Sequence, residues 1–198
     1  VRVWDAATGE TIHTLTTDRT DSVAWSPDGA HILTAGHDGV RVWDAATGET
    51  IHTLTTDPID HIDRIIMGRT RFAWSPDGAH ILTAGSRGVR VWDAATGETI
   101  HTPITNTINR LMDWTKFEWS PDGAHILTAG IYGVRVWDAA TGETIHTLTT
   151  DPIGHIDRIT DWTFEWSPDG AHILTIDKNN TRMWDAATGE TIHTLTTD

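Results

Sequence analysis

The stretch VRVWDAATGETIHTLTTD, residues 1–18, decides how the rest of the chain is read. It returns unchanged at 40–57 and 134–151, and with small changes from Val89 and from Thr181, which sets Trp-Asp pairs at Trp4, Trp43, Trp92, Trp137 and Trp184. A second string, WSPDGAHILT, begins at Trp25, Trp74, Trp119 and Trp166. Five copies of the first string and four of the second leave one unit incomplete. Successive Trp-Asp pairs lie 39, 49, 45 and 47 residues apart, a period that suits four strands and four turns per unit rather than a helical hairpin.

Within one unit, alternation and breakers place the strands. Strand a ends at Trp25, because Ser26-Pro27-Asp28-Gly29 is a turn in which Pro fixes φ and Gly tolerates a positive one. Strand b then covers 30–35 and strand c 40–44, and Ala45-Ala46-Thr47-Gly48 turns the chain into strand d at 49–55. A four-stranded antiparallel sheet of this size cannot bury both faces by itself, so the units must pack face to face around an axis.

Composition bounds the function. The 198 residues carry a formal charge of −14, no Cys, and eleven Trp against one Tyr and three Phe. With 38% apolar and 21% charged residues the chain is neither a disordered polyelectrolyte nor a helical membrane protein, since no apolar run approaches the length of a spanning helix. The absence of Cys excludes a disulfide framework and a thiolate metal site. No signal peptide precedes Val1, and a cytoplasmic location is the expectation.

The Trp-Asp ending of strand c, the Ser-Pro-Asp-Gly turn and the WDAATGE corner resemble the WD-repeat β-propeller family, with near-identical blades of the bacterial or engineered kind. The resemblance implies an all-β WD-repeat β-propeller. It would have four complete four-stranded blades, at 19–57, 58–106, 107–151 and 152–198, plus an N-terminal half blade of strands c and d at 1–18. That half blade makes the chain part of a larger ring or leaves it to be completed by another chain, in which case a homo-oligomer follows. The resemblance also implies a non-enzymatic platform that binds a protein or peptide. Family blades commonly link a His before strand a, a Ser or Thr in strand b, an Asp in the b–c turn and the strand-c Trp. The first complete blade here has Thr34, Asp38 and Trp43 without a Gly-His pair, and only the last could hold His155, Thr175, Asp177 and Trp184 together.

Aligned units separate a constant part from a variable one. The a–b and c–d turns do not change, while the b–c turn reads Gly-His-Asp-Gly, Gly-Ser-Arg-Gly, Gly-Ile-Tyr-Gly and Ile-Asp-Lys-Asn-Asn, and the d–a connections differ in length and content. Antiparallel strands put the first two turns on one rim and the variable segments on the other. Charge divides likewise: the repeated framework sets five Arg against eighteen acids, whereas the variable segments hold nine basic and ten acidic residues. So acidic a scaffold is a poor partner for nucleic acid, whose affinity comes largely from phosphate neutralisation.

The long connections share an Ile-(Asp/Asn)-Arg-aliphatic pattern around Ile62 and Arg64, around Arg110, and around Ile156 and Arg158, and the last two continue into Asp-Trp-Thr at Trp114 and Trp162. Their apolar content fits either a short helical turn or an extension of strand a. With Arg87 and Tyr132 of the b–c turns, these residues are the candidate partner-binding set, since Trp, Tyr and Arg dominate interface energetics. Two other readings stay open. The three Arg could cluster near the axis and bind an anion or small ligand. A chain built from a consensus unit could also lack a cellular function altogether.

No catalytic set emerges. Nine of the twelve His repeat with the framework, as His13, His52, His101, His146 and His193 in strand d and His31, His80, His125 and His172 in strand b, which points to structural or solvated roles. His37, His61 and His155 are nonrepeated rim residues. The repeated Asp residues read as turn formers, and no phosphate loop, nucleophile elbow or His-Glu-x-x-His motif is present. The expectation is a non-enzymatic protein with no cofactor, no metal and no nucleic-acid or membrane partner.

Overall fold

The computed structural model describes residues 1–17, 20–36, 39–54, 71–85, 88–105, 116–130, 133–148, 163–176 and 180–196. All regular elements among them are strands. A two-stranded sheet, β1 (Arg2–Trp4) and β2 (Thr11–Thr14), is followed by four four-stranded sheets. The first holds β3 (Thr20–Trp25), β4 (His31–Gly36), β5 (Gly39–Asp44) and β6 (Thr50–Leu54); the second holds β7 (Arg71–Trp74), β8 (His80–Gly85), β9 (Gly88–Asp93) and β10 (Thr99–Thr105). The third holds β11 (Lys116–Trp119), β12 (His125–Gly130), β13 (Gly133–Asp138) and β14 (Thr144–Leu148), and the fourth β15 (Thr163–Trp166), β16 (His172–Ile176), β17 (Asn180–Asp185) and β18 (Thr191–Thr196). Each is an antiparallel meander in chain order, and among the described residues no strand pairs with a strand of another sheet. The expected strands are therefore present, with ends displaced by about one residue: strand b starts at His31 rather than Ala30, and strand d at Thr50 rather than Glu49.

Turn chemistry fixes the meander. Gly29 takes φ +71°, its N–H bonds the Ser26 carbonyl at 2.9 Å, and Asp28 accepts the Ser26 hydroxyl at 2.6 Å and the Ala30 N–H at 3.0 Å. In the c–d corner Asp44 accepts the N–H groups of Ala46 and Thr47 at 2.9 and 2.7 Å. Beyond each corner the register slips by one residue in strand d, as between Val42 and Trp43, which leaves Ile51 outside the ladder.

Contacts group the chain into two compact units, residues 1–110 and 111–198. In the first, Val3 and Leu15 share a core with Ile32 and Trp43, and Leu33, Ala35, Val40, Val42 and Leu54 share another with Ile81 and Trp92. In the second, Leu127, Ala129, Val134, Val136 and Leu148 pack with Trp166, Ile173 and Trp184. Within each unit, one face of a sheet thus covers the opposite face of the next. Each fully buried Leu or Ile contributes roughly 1.5–3 kcal/mol, so the interior lies between sheets rather than within one.

Candidate binding surface

Each complete sheet has two unlike ends. At one lie the a–b and c–d turns, where every Asp is engaged by its own backbone. Hydrogen bonds from Thr47 and Ala46 hold the Asp44 carboxyl below the ordinary carboxylate range, and the Ser26 hydroxyl and Ala30 N–H do the same for Asp28. Asp5, Asp93, Asp138 and Asp185 repeat the first arrangement, and Asp77, Asp122 and Asp169 the second. These carboxylates are consumed as turn acceptors, as expected. Among the described residues no group of three or more His, Cys, Asp or Glu is placed to hold a metal ion.

At the other end Gly36 pairs with Gly39, Gly85 with Gly88 and Gly130 with Gly133. Strand a begins at this end and strand d finishes there, as Arg71 opposite Ala84 and Leu54 opposite Val40 show. The variable stretches therefore join the framework at this end alone. The candidate residues Ile62, Arg64, Arg87, Arg110, Trp114, Tyr132, Ile156, Arg158 and Trp162 themselves lie outside the described residues, as do His37, His61, His155, Asp38 and Asp177.

Beneath that end, the half of the family network carried by the sheets is built in all four blades. The indole Nε1–H of Trp43, Trp92, Trp137 and Trp184 donates to Thr34, Thr83, Thr128 and Thr175 at 2.8–2.9 Å, and all eight residues are buried. Arg41, Arg90 and Arg135 lay their guanidinium groups about 6 Å from the ring centres of the same Trp residues, which gives the framework arginines an intrastrand role.

The chain matches the WD domain, G-beta repeat family over residues 9–44 and 49–93. The chain thus carries WD repeats, and its sheets are blades of the β-propeller kind. No curated protein sequence matches the chain significantly. The solved β-propeller domain of Myceliophteria thermophila Cps50 (Swd1) superposes with a TM-score of 0.68 at 17% identity, covering 94% of this chain and 58% of that one. The computationally designed Ika8 protein superposes with a TM-score of 0.69 at 17% identity, covering 98% of this chain and 55% of that one. At that identity the likeness concerns the fold, and the WD-repeat chain spans a little over half the length of either structure.

Two features of the WD-repeat framework escape its sequence. The strand-d His residues bridge sheets: His13, His52 and His146 place Nε2 at 2.8, 2.9 and 3.0 Å from the carbonyl oxygens of Ala46, Ala95 and Ala187 in the next c–d corner. The strand-b residues His31 and His125 stack on Trp74 and Trp166 of the next sheet, with centroids 6.3 Å apart. Repetition signalled a structural role, but nothing in one unit's sequence could name a partner in the following unit. The second feature is Glu118, whose equivalents in the earlier sheets are Ala24 and Ala73. Burial, then the nearby Glu165 carboxylate, raises its pKa, against a hydrogen bond from the Trp166 N–H.

Proposed function

We propose that this WD-repeat chain is a non-enzymatic platform that recognises a protein or peptide through the variable rim. One observation carries the reading: every described strand end that leads into a nonrepeated segment lies at the same end of its sheet, opposite the turns whose Asp side chains are tied up in holding the corners. WD-repeat propellers generally serve as protein-interaction scaffolds, which supports the class of function. Trp114 and Trp162 are the anchors, Arg64, Arg110 and Arg158 the charge-bearing contacts, and Ile62, Ile156, Arg87 and Tyr132 the surrounding contact residues. A cytoplasmic setting is part of the same proposal.

Peptides selected on the 198-residue chain from a random display library, then titrated calorimetrically, test the proposal. The Trp114→Ala/Trp162→Ala variant should bind them at least about thirtyfold more weakly, the loss expected when a dominant aromatic contact is removed. Unchanged affinity in that variant would remove the rim from consideration. Heat with inorganic phosphate that saturates stoichiometrically would instead favour an anion site.

A further inference from the structure

The a–b turn that shapes each complete sheet also carries a dipeptide open to self-modification. Asp precedes Gly at 28–29, 77–78, 122–123 and 169–170, each time within Pro-Asp-Gly-Ala. The turn demands Gly there, at φ +71° to +74°, and a residue without a Cβ leaves its own nitrogen poorly shielded. In such a pair the Gly nitrogen can attack the side-chain carboxyl carbon of the Asp. The N–Cγ bond forms, the Cγ–O bond breaks and one water leaves, giving a five-membered succinimide. Water then adds back and opens the ring at either carbonyl, so the product is Asp or isoaspartate, whose main chain is longer by one methylene.

We propose that these four aspartates are latent isoaspartate sites that the folded turn holds shut, with the turn Ser as the residue that keeps them so. In the second sheet Ser75, 1% exposed, accepts the His80 N–H at 2.9 Å and donates its hydroxyl to Asp77 Oδ1 at 2.6 Å. The Ala79 N–H bonds the same oxygen at 2.9 Å. The carboxylate is thereby turned toward Ala79, and reaching the Gly78 nitrogen means giving up both bonds. That nitrogen is itself engaged, since its N–H donates to the Ser75 carbonyl at 2.9 Å, and ring closure has to remove that proton. The same hydrogen bonds, the Ser75 hydroxyl first, hold the Asp77 carboxyl below its ordinary range, so less of it is in the neutral acid form that the nitrogen attacks. Ser26, Ser120 and Ser167 repeat the clamp on Asp28, Asp122 and Asp169 at 2.5–2.6 Å. Once isoaspartate forms, the extra methylene destroys the spacing on which the Gly78–Ser75 bond depends, and the turn cannot close as before. This inference does not depend on the rim.

Prolonged incubation of the 198-residue chain at neutral pH, with tryptic peptides resolved by chromatography and electron-transfer fragmentation, tests it. Trypsin places Asp77 on 72–87 and Asp122 on 117–135, each in the one Asp-Gly pair of its peptide. Isoaspartate should accumulate at both at least about tenfold more slowly in the folded chain than in guanidinium chloride, the factor for giving up one hydrogen bond to a charged group. Ser75→Ala should speed the reaction several-fold at Asp77 and leave Asp122 unchanged. Thr83→Val, which weakens the same sheet and leaves the turn intact, should keep the wild-type rate at Asp77. Equal rates in folded and unfolded wild-type chains overturn the proposal. So does a Ser75→Ala chain that reacts no faster at Asp77, or acceleration by Thr83→Val as large as that by Ser75→Ala.

Discussion

His52 Nε2 lies 2.9 Å from the carbonyl oxygen of Ala95, one sheet further along the chain. A carbonyl only accepts, so the imidazole must carry its proton on Nε2, and the same geometry recurs at His13 and His146. A side chain whose repetition pointed to a structural or solvated role is thus a latch between blades. His52→Ala should lower the stability of the first unit by about 0.5–1.5 kcal/mol, the usual net worth of one hydrogen bond, read as a lower urea midpoint.

The glycine beneath the latch allows a paired comparison. Gly97 and Gly9 have nearly the same backbone, φ +71° and +72°, but a Cβ on Gly97 would lie 2.8 Å from the His52 ring while one on Gly9 would meet nothing. Gly9→Ala should cost only the left-handed penalty of about 1–2 kcal/mol. Gly97→Ala should cost clearly more, because the ring must also move. Equal urea midpoints for the two variants would show that the close approach carries no weight.

Thr83 takes the indole proton of Trp92 at 2.8 Å in the buried centre of its sheet. Thr83→Val keeps the shape and removes the acceptor, so the second blade should lose roughly 1–3 kcal/mol, the penalty for a buried donor left unpaired. Thr83→Ser should recover most of the loss in the same chemical denaturation experiment.

Glu118 and the turn aspartates give opposite pH signatures. A carboxyl whose pKa folding raises costs stability fully above its folded pKa, and the cost vanishes below the unfolded value of about 4.3. Glu118→Gln should therefore melt roughly 1–3 °C higher than wild type at neutral pH, after allowance for its partial exposure, and the gap should close as pH falls toward about 4. The lowered pKa values of Asp44, Asp28 and their repeats act in reverse. Their stabilisation is complete above the unfolded value of about 3.9 and is lost as pH drops through the folded values. Thermal scans from neutral to acid pH check both signs.

How much of this was legible in the sequence depends on how local each determinant is. The turns were, because Pro27, Asp28 and Gly29 act within four residues, and so were the strands and the Trp–Thr positions, which recur with the unit. The one-residue shifts at His31 and Thr50 arise because the Ser26–His31 and Asp44–Glu49 backbone bonds close the turns just before pairing begins. The inter-sheet roles of His31 and His52 needed the next blade in place. Likewise, Glu118 reads as a surface acid until Trp166 is set against it. The rim residues rest on sequence pattern alone.

Hydrogen–deuterium exchange with a selected peptide bound tests the two-ended platform most directly. The account predicts slowed exchange confined to 58–70, 107–115 and 152–162, with the turns at 26–30 and 44–49 unaffected. Protection at those turns, with none in the variable stretches, would contradict it.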